Sequence, residues 1–147
     1  MVAYNKKQYD EAIDWLTKAI QLSPNEAEFY ENLGLVYYIT KDINKAVELF
    51  EKGYQLDPKR ISLLERFAHS LNLAKDFQAA YKVIKEIQAI EPNNKFSMSV
   101  LIETMKYINI DKYSHQYEQD LIQCLNTTHS GLDLSLIHIW RCRRVLR

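Results

Sequence analysis

The sequence predicts an all-α solenoid of antiparallel helix pairs with a 34-residue period. Three observations carry this. The chain's three prolines, Pro24, Pro58 and Pro92, stand at two equal intervals of 34 residues, and a fixed period of that size points to a helical repeat. The stretches that end on them align line on line: YDEAIDWLTKAIQLSPN, INKAVELFEKGYQLDPK and FQAAYKVIKEIQAIEPN. Within these lines Ala12, Ala46 and Ala80 share one register, Leu16, Phe50 and Ile84 a second, and Ala19, Gly53 and Ile87 a third. Small, large and mostly small residues spaced by four and three line one face of an α-helix.

The elements follow in order. Residues 1–25 read as a partial unit, mainly its second helix from about Tyr9 to Leu22. In the repeat register Met1 falls in the middle of a first helix, so this helix is expected to lack most of its partner, and the chain to be a fragment at this end. Residues 26–59 form a full unit, with helices from about Glu26 to Ile39 and from about Ile43 to Leu56. The break between them is TKD, where the Asp42 carboxylate can cap the second helix by accepting a backbone N–H. Asp76 repeats that role in residues 60–93. Each second helix stops short of its proline, whose ring disfavours helical backbone in the residue before it. Gly34 and Ala68 are small at one register, which lets paired helices approach closely, and Tyr37 and Leu71 lie one turn further along.

Beyond Pro92 the pattern loosens. Met98, Leu101, Ile102, Met105 and Ile108 keep helical spacing, and Tyr113, Tyr117 and Leu121 suggest a second helix. Tyr113 and Tyr117 come two residues late against Phe77 and Tyr81, so residues 94–129 read as a divergent helical hairpin or as a bridge to another domain. Residues 130–147 are expected to be non-native or disordered. The run LSLIHIWRCRRVLR, residues 134–147, has no repeat register and resembles a translated sequencing adapter, and is set aside from function on that ground. If it is one, the chain is a fragment at this end too.

Several residues have a counterpart in a known family. Gly34, Tyr37, Ala46, Phe50, Gly53 and Pro58 match its pattern in the second unit, and Ala68, Ala80 and Pro92 in the third, while Leu71 and Ile87 depart from it. Over roughly residues 1–93 the chain resembles the tetratricopeptide repeat (TPR) family. The resemblance implies a right-handed superhelix whose concave face is lined by the first helix of each unit. It places Glu31, Asn32, Leu35 and Tyr38 on that face in the second unit, and Glu65, Arg66, His69 and Asn72 in the third. Neighbouring positions at the same registers include Glu28, Ser62, Ser99, Glu103 and Tyr107. On such a surface Asn32 could hydrogen-bond a peptide backbone, Arg66 could grip a carboxylate in forked geometry, and Leu35 and Tyr38 could supply anchor area. Members that grip chaperone C-termini use a set of lysines, asparagines and an arginine from three units. Asn32 and Arg66 fall on two of those positions, but Ser62 replaces a lysine and the first unit's contributing helix is largely missing, so chaperone-tail binding is not expected.

Other function classes find little support. Lys plus Arg and Asp plus Glu both total 19 in 147 residues, so no global charge draws the chain to nucleic acid. Without the four arginines of residues 134–147, 15 basic and 19 acidic residues remain, a net charge of −4. Taken at face value those arginines beside Trp140 would suggest anionic partners; the adapter resemblance removes that weight. No apolar run reaches the roughly 20 residues of a membrane span. Three glycines leave no phosphate-cradling loop. His115, Cys124 and His129, with eight and four residues between them, match no zinc spacing, and no base stands near Cys124 in sequence to activate it. No catalytic, cofactor or metal site is therefore expected. The leading expectation is a cytoplasmic protein-interaction scaffold that binds a peptide segment in its concave groove, with weak self-association through the array ends. The alternative is the N-terminal repeat region of a larger enzyme, such as a methyltransferase or glycosyltransferase. High Lys, Asn, Ile and Tyr hint at an AT-rich bacterial genome.

Overall fold

Six α-helices follow one another in the computed structural model, which describes residues 6–105, Tyr107 and Gln119. They are α1 (Lys6–Leu22), α2 (Ala27–Ile39), α3 (Ile43–Leu56), α4 (Ile61–Leu73), α5 (Phe77–Ile90) and α6 (Lys95–Met105), and no strand occurs among the described residues. All six lie in one unit, Met1–Ile108. α1 starts three residues earlier than the apolar pattern alone suggests. α6 supplies the first half of the expected hairpin; its second half, with Tyr113, Tyr117 and Leu121, lies outside the described residues, as does the 130–147 segment.

The expected caps form. The Asp42 carboxylate accepts from Lys45 N at 3.4 Å and the Asp76 carboxylate from Ala79 N at 3.1 Å, each satisfying a donor that the helix start leaves unpaired. α2 and α4 end alike. Asp42 N donates to Tyr37 O and Asp76 N to Leu71 O, both at 2.9 Å, and the residue before each carries a positive φ: 69° at Lys41 and 65° at Lys75. This is the left-handed helix stop usually given to glycine. Lysine holds it here at a steric cost of about 1 kcal/mol.

Packing explains the repeated small residues. α2 lies against α3, α4 against both α3 and α5, and α6 against α5 and α4. Ala46, Phe50, Leu63, Leu64, Ala68, Ala80, Ile84 and Leu101 are wholly buried. A Cβ at Gly34 would stand 2.7 Å from Phe50 Cε1, so the α2–α3 approach depends on that glycine. α1 packs on α2, yet none of its described side chains is buried, and Trp15 is 71% exposed.

Candidate functional site

α2, α4 and α6 are the first helices of three successive units, and their side chains meet in a recess of about 270 Å³. Leu35 and Tyr38 come from α2, Ser62, Glu65, Arg66 and His69 from α4, and Phe96 from α6. The helical spacing of the α4 residues puts them on one face. The recess thus brings together Leu35, Tyr38, Glu65, Arg66 and His69 of the sequence-derived candidates. Asn32 is exposed on α2 but does not line it.

Three aromatic side chains form its wall. Tyr38 Oη and His69 Nδ1 are hydrogen-bonded at 3.0 Å, with ring centroids 5.7 Å apart. The His69 and Phe96 rings meet edge to face at 6.2 Å and 86°, a geometry that aligns ring edge with ring face favourably. Ser62 and Phe96 stand 34 residues apart at one register. The period therefore points to Phe96, a position absent from the sequence-derived candidates.

Two candidates differ in depth from what their register implied. Glu31 is buried, not open to a ligand. One carboxylate oxygen accepts from Arg60 Nε at 2.5 Å, and the other forms an ion pair with Arg66 Nε at 3.2 Å. The guanidinium of Arg60 is held above its ordinary pKa by this hydrogen bond. Two arginines on one carboxylate repay its desolvation, which a lone buried charge could not. Arg66 is consequently engaged through Nε, which occupies one of the two edges a forked carboxylate ligand could use. Asn72 is also buried. Its Oδ1 accepts from Thr104 Oγ1 at 2.9 Å and its Nδ2 lies 3.5 Å from Val100 O, so it ties α4 to α6 and leaves no amide for a peptide.

The chemistry on offer is recognition by shape, aromatic surface and charge. Among the described residues no group of three or more His, Cys, Asp or Glu is placed to hold a metal ion, and no helix is long and apolar enough to cross a membrane. His115, Cys124 and His129 lie outside the described residues.

Comparison with known families agrees with the helical repeat. A family described as "TPR repeat" matches residues 2–40, and one described as "Tetratricopeptide repeat" matches residues 27–60. Residues 2–60 thus carry tetratricopeptide repeats. Solved structures share the chain's fold. The Arabidopsis OM64 TPR domain is 23% identical over 72% of this chain and 88% of that one, with a TM-score of 0.63. The first TPR of Spaghetti (RPAP3), bound to an HSP90 peptide, is 22% identical over 69% and 80%, with a TM-score of 0.64. A MamA double mutant is 18% identical over 82% and 66%, with a TM-score of 0.69. No curated protein sequence matches the chain.

Proposed function

We propose that this TPR array is a protein-interaction scaffold that holds a peptide segment of a partner on its concave face. The observation that carries this reading is the recess itself. It joins side chains from three successive units that have no covalent reason to converge, and it combines anchor surface (Leu35, Tyr38, Phe96) with polar groups (Ser62, Glu65, His69). That mixture suits an extended or helical peptide that inserts one side chain and hydrogen-bonds around it. Two fold neighbours are solved with peptides: the Spaghetti TPR bound to an HSP90 peptide and the second TPR domain of human RPAP3 in complex with an HSP70 peptide. The pattern of charges here differs from a carboxylate clamp, because Arg66 is already paired with Glu31.

Random peptides displayed on phage and selected on the intact chain test the reading. Peptides so found should lose affinity by about tenfold or more when Leu35 and Phe96 are each replaced by alanine, as for buried anchors. The double variant Asn32→Ala/Arg66→Ala should weaken them less, through loss of the Glu31 contact. Affinity unchanged in all of these variants would move the site to another face.

A further inference from the structure

The chemistry of the inserted side chain can be read from the two junctions between units; this step rests on the groove reading above. The residue before α4, Arg60, reaches back 29 positions to Glu31 on α2. The residue before α6, Asn94, reaches back the same 29 positions to Glu65 on α4, donating from Nδ2 to Oε1 at 2.8 Å. Glu31 and Glu65 are 34 residues apart, and so are Arg60 and Asn94. The junctions therefore share one design, in which the residue entering each unit clasps a glutamate of the unit before.

They differ in charge. Glu31 meets two guanidiniums, whereas Glu65 meets a neutral carboxamide that it shares with Glu91, 2.9 Å from the same Nδ2. Among the described residues no lysine or arginine forms an ion pair with Glu65. Arg66 does not supply the missing charge, for its Nε is held by Glu31, and Glu28, Glu31, Arg60 and Arg66 balance among themselves. Among the described residues, the recess thus holds one half-buried carboxylate, Glu65, that no ion pair engages, beside the rings of Tyr38, His69 and Phe96. Aromatic faces attract a cation within about 6 Å of the ring centre.

We propose that the recess takes a cationic side chain, arginine or lysine, from the partner peptide. Its charge pairs with Glu65, and its aliphatic stem lies along Leu35 and the aromatic wall. The sign is opposite to that of the carboxylate on Arg66 which the register of Arg66 first suggests.

Ring-proton NMR of the intact chain tests this directly, with N-acetyl-arginine amide, N-acetyl-lysine amide and N-acetyl-aspartate amide as probes. The two cationic probes should shift the His69 and Phe96 ring signals, and the aspartate probe should not. Glu65→Gln keeps an oxygen for Asn94 and so preserves the junction, and it should weaken the arginine probe and any selected peptide by about five- to tenfold. Indifference to Glu65→Gln overturns the proposal. So does an aspartate probe that shifts the same rings and depends on Arg66, a result that would leave the groove reading standing. Probes without effect on the rings, with selected peptides still weakened by Phe96→Ala, also overturn the cation and keep the groove. Selected peptides insensitive to both Leu35→Ala and Phe96→Ala overturn the groove reading itself.

Discussion

α1 and its two repeats, α3 and α5, carry one pattern and meet different fates. Ala46 and Ala80 are wholly buried, while Ala12 at the same register is only half-buried. Trp15 is 71% exposed, and Val83, two periods later, is 6% exposed. The difference lies in the neighbours. α3 and α5 each sit between helices on two sides, whereas α2 is the main neighbour of α1 among the described helices. An amphipathic stripe fixes which face turns inward; how deep that face goes depends on the next helix in the stack.

Matched substitutions can break or sharpen this contrast. The largest effect should come from Ala46→Gln, which forces volume and an unpaired amide into a filled core, costing about 3–5 kcal/mol in urea unfolding. The same change at Ala12 should cost less than about 1 kcal/mol. Equal losses at the two sites would mean that α1 is packed as tightly as α3. Gly34→Ala comes next. The added methyl meets the Phe50 ring at 2.7 Å, and overpacking outweighs the helix-propensity gain of about 1 kcal/mol, leaving a net loss of about 1–2 kcal/mol in thermal denaturation. Asp76→Ala should cost about 1 kcal/mol as its cap bond to Ala79 is lost.

A smaller, pH-dependent difference belongs to the start of α3. Hydrogen bonding to Lys45 holds the Asp42 carboxyl below its ordinary 3.8. A carboxyl depressed in the folded state stabilises above its unfolded pKa, and that stability is lost as pH falls through the folded value. Helicity followed by circular dichroism in acid should therefore decline less steeply in Asp42→Asn than in the parent; parallel curves would remove Asp42 from the acid response. The smallest effect should be that of Trp15→Ala, within about 0.5 kcal/mol, given how little of the ring is covered.

Much of this was legible before any coordinates. Helix positions, the Asp42 and Asp76 caps and the Gly34 contact all follow from the period, because a repeat shows each local rule more than once. The left-handed stops at Lys41 and Lys75 were not legible, since glycine is the residue that marks them in sequence and lysine does not. At the site, register located the face but not the depth. Leu35, Tyr38, Glu65, Arg66 and His69 line one recess, but Glu31 and Asn72 are drawn into contacts with the following unit, 29 and 32 residues away. Those partners lie across a junction, where one helix's periodicity carries no information.

Asn94 imposes a narrow alphabet on its position. Its Oδ1 accepts from Ser97 N at 2.8 Å to start α6, while its Nδ2 donates to Glu65 and Glu91. Aspartate serves as the cap at positions 42 and 76, yet at 94 it would set a third carboxylate against two others. Lysine or arginine would suit Glu65 and leave α6 uncapped. A carboxamide meets both demands, so hydrolysis of this one amide in an ageing sample would keep the helix start and turn attraction at Glu65 into repulsion.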